Sequence, residues 1–150
     1  MKILFICTGN TCRSPMAQAA AEVYASKKNL TASFDSAGVA VSPSSQFVNP
    51  NSAKALFNAY GIRFSHKPQQ LTRDLSEKFD IIVAMNDDIA AFARNVIGID
   101  EKKLIVMSKR IPDPFGYSQE IYNECLKEIA NGVTELIDSV ISEEDREEVK

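Results

Sequence analysis

Residues 2–18 read KILFICTGNTCRSPMAQ: an apolar run that breaks at a cysteine, a short Thr-Gly-Asn-Thr stretch, and an Arg-Ser-Pro that opens a helical pattern. KILFI at 2–6 has the composition and length of a buried strand. From Ser14 onward SPMAQAAAEVYASKK reads as a helix, with Ser14 placed to cap it and Pro15 suited to its first turn. A strand that feeds a helix through a short loop is the opening of a βαβ unit, whose next strand returns parallel through a right-handed crossover.

The alternation continues outward from that stretch. TASFDSAG at 31–38 reads as a second strand closed by glycine, and VSPSSQFVNPNS, rich in Ser, Pro and Asn, as a loop. Asn49 and Pro50 begin a helix that runs to Gly61 as its C-cap. Residues 62–70 are irregular, TRDLSEKF is a short helix, and DIIVAM at 80–85 is an apolar strand of the kind buried on both faces. NDDIAAFARNVIG is a helix ended by Gly98, KLIVM at 103–107 is the fourth strand, and SKRIPDPFGYS is a loop. A last amphipathic helix carries Ile121, Leu126, Ile129, Val133, Leu136 and Ile137 near helical spacing. The pattern predicts an α/β fold, a three-layer doubly wound sandwich around a four-stranded parallel sheet in the flavodoxin-like order 2-1-3-4.

Composition narrows the function. The chain has 150 residues, 45% of them apolar and 25% charged, which suits one globular domain spanning 1–150. Its net charge of −3 sits entirely in the terminal EEDREEVK, where five acids face Arg146 and Lys150, so 143–150 is expected to be a solvated acidic tail. The rest is neutral on balance, without the basic stripe a nucleic-acid binder needs. Three cysteines, an odd number, fit a reducing cytosol better than a secreted disulfide scaffold. MKILFIC is too short for a signal-peptide core, and nowhere do eighteen apolar residues run together, so neither export nor membrane insertion is expected.

Between the first strand and first helix, Cys7-Thr8-Gly9-Asn10-Thr11-Cys12-Arg13 places a cysteine and an arginine six positions apart, followed by Ser14. A loop that curls from a strand into a helix can turn successive backbone N–H groups inward, and the helix N-terminus adds positive potential, so a phosphate-sized anion fits there. Gly9 lets the backbone approach closely, and Asn10 is a residue type that tolerates positive φ. Such a field favours thiolate over thiol, which makes Cys7 a nucleophile. Arg13 offers a planar fork for two phosphoryl oxygens. In IPDPF, Pro112 and Pro114 stiffen an arm that presents Asp113 beyond the fourth strand, where a carboxyl group can protonate a leaving group. Cys12 is open to two readings: an inert thiol, or a redox partner that forms a reversible disulfide with Cys7. Cys125 belongs to the core of the last helix. No metal-ligand cluster is present and no cofactor is called for.

CTGNTCRSP resembles the phosphate loop of the low-molecular-weight protein tyrosine phosphatase family and, more narrowly, its bacterial protein-arginine phosphatase branch. DSAG at 35–38, Ser65-His66, DIIVAM at 80–85 and DPFG at 113–116 extend the resemblance over nearly the whole chain. The resemblance implies that Cys7 is the nucleophile, Arg13 the oxyanion clamp and Asp113 the general acid and then base. It implies that the loop from Thr8 to Ser14 binds phosphate, that Ser14 steadies the thiolate, and that Asn10, Ser36 and His66 form a supporting network. Lys67, Pro68 and Gln69 stand where the family often shows an alanine-arginine pair. The partners implied are phosphorylated proteins, with inorganic phosphate as product, and the chain is expected to be a monomer or weak dimer.

The substrate side chain is read from the mouth of the loop. Tyrosine-directed members carry bulky apolar residues where Thr8 and Thr11 stand, and an aromatic wall where this chain has Val39, Ala40 and Val41. Here Phe115 is the one obvious aromatic wall, and Thr11 resembles the arginine-phosphate branch. Three other classes stay open at this stage. A phosphocarrier would hold phosphate on Cys7 without a general acid, an arsenate reductase would need further cysteines absent from 81–99, and a flavin module would need neither Cys7 nor Arg13.

Overall fold

The computed structural model describes residues 1–107 and 110–141; the acidic stretch 143–150 lies outside the described residues. Four strands form one parallel sheet in the order β2-β1-β3-β4: β1 (Lys2–Cys7), β2 (Ser33–Gly38), β3 (Ile81–Ala84) and β4 (Leu104–Val106). β1 pairs with β2 from Lys2↔Ser33 to Cys7↔Gly38 and with β3 from Ile3↔Ile81 to Ile6↔Ala84. The α/β class and the strand order are those read from the sequence.

β1 takes an interior position because its residues can live nowhere else: Ile3, Leu4, Phe5 and Ile6 are all 0% exposed, so both faces of the strand are covered. Full burial of each such side chain contributes about 1.5–3 kcal/mol. The helices that cover it are α1 (Arg13–Lys27), α2 (Pro50–Tyr60), a single turn α3 (Arg73–Ser76), α4 (Asp87–Phe92) and α5 (Gln119–Val140). α1 is alanine-rich and buried along most of its length, and small side chains let it lie against β1, β2, α2 and α5 at once. The chain steps from β1 to β2 in one direction and from β3 to β4 in the other, so right-handed crossovers set α1 and α4 on opposite faces. That reversal leaves a crevice at the carboxyl end of β1, where the loop to α1 emerges.

Local chemistry explains most boundaries. Asn49 caps α2 by accepting from the Asn51 N–H at 2.9 Å, and Gly61 ends it in the left-handed region. The fourth helix stops as α-helix at Phe92 and continues through a π-type turn, Ala93–Ile97, to Gly98. Two sequence expectations are corrected. Ser14 does not cap α1: the N-cap position is Cys12, no side chain caps it, and Ser14 lies inside the helix with its hydroxyl turned to the preceding loop. Ile121 does not join the apolar face of α5; it is 41% exposed, while Tyr122, Cys125, Leu126, Ile129, Val133 and Ile137 are buried, because the face in contact with α1 and α2 is shifted by one position in the first turn. Among the described residues no helix is long and apolar enough to cross a membrane.

Candidate active site

The loop between β1 and α1 hangs from its neighbours by its carbonyls. Cys7 O accepts from Val39 N, Thr8 O from Ala40 N, Thr11 O from Asn49 N and Cys12 O from Met16 N, at 2.9–3.3 Å. Among the described residues, the backbone N–H groups of Thr8, Gly9, Asn10, Thr11 and Cys12 donate to nothing. Asn10 and Cys12 are buried, and buried amides ordinarily find partners. A loop that turns its carbonyls outward and leaves a run of donors free, directly before a helix N-terminus, has the geometry that can receive an anion.

The pocket in front of those donors has a volume of about 200 Å³ and is lined by Cys7, Thr8, Gly9, Thr11, Cys12, Arg13, Asp113 and Phe115. Arg13 is 3% exposed; its Nη1 donates to Ile111 O at 3.0 Å and its Nη2 lies 3.9 Å from Asp113 Oδ2. The carbonyl that precedes the Pro112-Asp113 arm thus holds the guanidinium in place. Asp113 is half exposed, and its Oδ1 accepts from Phe115 N at 3.0 Å, a short turn that aims the other carboxylate oxygen toward Arg13.

The side chains of Asn10 and Ser14, both in the expected phosphate loop, do not line the pocket; both residues are 0% exposed and their side chains bond to each other behind the loop. Ser14 Oγ is 2.9 Å from Cys7 Sγ and accepts from Asn10 Nδ2 at 2.8 Å. Since that amide donates, the serine hydroxyl's own proton points to the sulfur or, at 3.4 Å, to Ala37 O. Asn10 has φ 57 and is clamped at its other end, where Oδ1 accepts from His66 Nε2 at 2.8 Å and from Gln69 N at 3.0 Å. His66 Nε2 is also 3.2 Å from Ser36 Oγ, which donates to Gln18 Oε1 at 2.7 Å. A continuous chain therefore runs from Cys7 through Ser14 and Asn10 to His66 and Ser36.

A second glycine, Gly38, is confined by the protein itself. A Cβ on Gly9 would meet only Thr11 Oγ1 at 3.8 Å, an ordinary contact, whereas one on Gly38 would stand 2.6 Å from Thr8 O. At the end of β2 a side chain would collide with the loop backbone.

Sequence reasoning missed Gln18, Gln69 and Tyr122. Gln69 looks like a surface departure beside Lys67 and Pro68, yet its Nε2 donates to Ser36 O at 2.9 Å and to Asp35 Oδ2 at 3.2 Å, and its carbonyl accepts from Gly38 N. No periodic signal marks an irregular segment whose partners lie thirty residues away. Tyr122 OH is 3.5 Å from Cys12 Sγ. Burial is the main reason the Cys12 thiol is pushed up from its ordinary value, with the bonds to Tyr122 and Thr11 opposing it, so its reactive thiolate form is disfavoured. Cys125 is buried and, for the same reason, pushed up to about 12. All three cysteines are free.

The sequence matches the family described as "Low molecular weight phosphotyrosine protein phosphatase" over residues 2–147. It is 33% identical over 143 residues to a protein-arginine-phosphatase of Bacillus subtilis, covering 91% of this chain and 94% of the relative. It is 28% identical to the low-molecular-weight protein-tyrosine-phosphatase PtpB of Staphylococcus aureus, covering 93% and 99%. Among solved structures it superposes with a TM-score of 0.87 at 31% identity on YwlE arginine phosphatase, a cysteine-to-serine mutant with a phosphorylated active-site serine, covering 93% of this chain and 95% of that one. With the family matched from the first strand almost to the last residue, and the Cys7–Arg13 loop set between the first strand and the first helix, the chain belongs to the low-molecular-weight phosphotyrosine protein phosphatase family.

Proposed function

We propose that the chain is a cysteine-dependent protein phosphatase that acts on phosphoarginine in preference to phosphotyrosine. Cys7 Sγ attacks phosphorus as the bond from phosphorus to the side-chain nitrogen breaks, and Asp113 gives its proton to the departing guanidine nitrogen. A phosphocysteine remains. Water, deprotonated by the Asp113 carboxylate, then attacks phosphorus, the P–S bond breaks, and inorganic phosphate leaves with the sulfur again ionised. The unspent loop N–H groups and Arg13 bind the three non-bridging oxygens, where negative charge is shared in both steps. Ser14, donating toward the sulfur, stabilises it as a leaving group in the second step, and Asn10, Ser36 and His66 hold that serine in position.

The observation that carries the reading is the run of undirected loop amides around Cys7, with Arg13 and Asp113 3.9 Å apart on the opposite wall. An acid set to protonate a leaving group favours hydrolysis over a phosphocarrier role, which would need none. The arginine preference is supported by Thr11 at the pocket mouth, by Phe115 as an aromatic wall, and by the relatives named as arginine phosphatases. A guanidinium leaving group is flat, cationic and rich in donors, so a hydroxyl and a carboxylate suit it better than the apolar rim that would grip a phenol ring.

Steady-state kinetics on matched peptides carrying phosphoarginine or phosphotyrosine test this. The expected kcat/KM favours phosphoarginine, and Thr11→Ile shifts the ratio toward phosphotyrosine by at least tenfold. Equal or tyrosine-favouring values for the wild type overturn the arginine preference. Unchanged turnover in Cys7→Ala overturns the mechanism.

A further inference from the structure

We propose that the groove on the far side of the Asp113 arm is a second substrate subsite, one that takes a basic side chain flanking the phosphorylated residue of the polypeptide. This rests on the phosphatase reading of the Cys7 pocket and extends it from the reacting side chain to its neighbours in the sequence.

The groove has a volume of about 310 Å³, larger than the phosphate pocket and at the lower end of the 300–1,000 Å³ range of ligand sites. Asp113 lines both cavities and is the wall between them. A polypeptide whose modified side chain enters one must carry its backbone across the rim, which brings an adjacent residue over the other. The groove is thus continuous with the site where the substrate is already held.

Its chemistry selects the occupant. Pro112, Tyr117 and Ile121 supply apolar walls, and Tyr117 and Ile121 are 64% and 41% exposed. Ile121 is the position that departs from the buried face of α5, so an apolar side chain the core does not use faces this cavity instead. Among the described residues, the charged ones along the groove are Asp113, Glu124 and Glu128, and none that lines it is basic. Glu124 and Glu128 are four apart on α5 and share a face. An apolar wall ending at carboxylates suits a long cationic side chain, whose alkyl stem lies on Pro112 and Ile121 while its head reaches Glu124 or the Tyr117 ring. An acidic flank meets the like charge of Glu124 instead, and a short apolar flank does not reach that end of the groove.

The test uses the full chain and a set of phosphopeptides identical except for lysine, alanine or glutamate on either side of the phosphorylated residue. Lysine is expected to raise kcat/KM over glutamate on the order of five- to tenfold, from an exposed ion pair and a cation–π contact together, and the preference should shrink as salt rises. Glu124→Lys, at an exposed position that does not line the phosphate pocket, should reverse the order of lysine and glutamate peptides while turnover of the small substrate p-nitrophenyl phosphate stays within twofold of wild type. Equal rates on the three flanks, or a lysine preference that survives Glu124→Lys, overturns the subsite and leaves the phosphatase reading standing. Absence of phosphate release from any peptide and from p-nitrophenyl phosphate defeats the underlying reading instead.

Discussion

Asn10 holds a left-handed backbone conformation, φ 57, that costs most residues roughly 1–2 kcal/mol, and three hydrogen bonds to its side chain keep it there. Asparagine is the residue that both tolerates the conformation and offers a donor toward Ser14 and an acceptor toward His66. Because Oδ1 can only accept, His66 must carry its proton on Nε2, and Nδ1 is left facing the Asp35 carboxylate at 4.0 Å. Burial lowers the His66 pKa from its ordinary 6.5, and Asp35, which pulls the other way, does not make up the difference. The folded state therefore takes up a proton less readily than the unfolded chain. Above pH 6.5 neither state is charged and His66 contributes nothing; as pH falls below 6.5 the unfolded chain protonates first and stability is lost until the folded pKa is reached. Urea midpoints measured at pH 7.5 and 5.5 should fall more for the wild type than for His66→Gln, and equal falls would remove His66 from the acid sensitivity.

Two elements meet at Gly38 more tightly than any side chain allows. Its Cβ would stand 2.6 Å from the Thr8 carbonyl and 3.0 Å from Asn10 N, both backbone atoms of the loop, and 2.7 Å from a Val41 methyl. Gly38 also accepts from Leu71 N and donates to Gln69 O, so β2 can withdraw only by breaking its hold on the 69–71 segment. Gly38→Ala should then displace the loop rather than the strand: kcat/KM for p-nitrophenyl phosphate is expected to drop at least tenfold, with a stability loss of about 1–3 kcal/mol by urea denaturation. A variant with wild-type turnover would show that the loop tolerates the shift. The element types and their order were legible from periodicity and caps, as at Asn49 and Gly61. The π-type end of the fourth helix and the parallel bridge Gly38↔Gln70 were not, since neither has a side-chain pattern of its own.

At the scale of the whole molecule, the site is an agreement among distant segments: the loop after β1, the end of β2, the 66–70 stretch, and the arm beyond β4 that carries Asp113. Such a site gains stability from its ligand. An anion that binds only the folded state adds RT ln(1 + [L]/Kd), about 2.7 kcal/mol at one hundred times Kd. Inorganic phosphate should raise the Tm of the wild type in proportion to the logarithm of its concentration above Kd, and Arg13→Lys, which keeps the charge but loses the two-pronged fork, should shift the response to higher phosphate. A Tm indifferent to phosphate in the wild type would mean the loop amides bind no such anion. Local information in the chain determined the strand and helix sequence and the Cys7–Arg13 loop, because side-chain periodicity and caps act over short spans. Only the tertiary structure decided that Ser14 turns to the sulfur instead of capping α1, that the Asn10 side chain lies behind the pocket, that Gln69 supports it, and that Gly38 packs against the loop backbone where no side chain fits. Each of these depends on which partner atom competes best for a group in three dimensions, and the sequence order of those partners, up to fifty-nine residues apart in the case of Asn10 and Gln69, carries no trace of it.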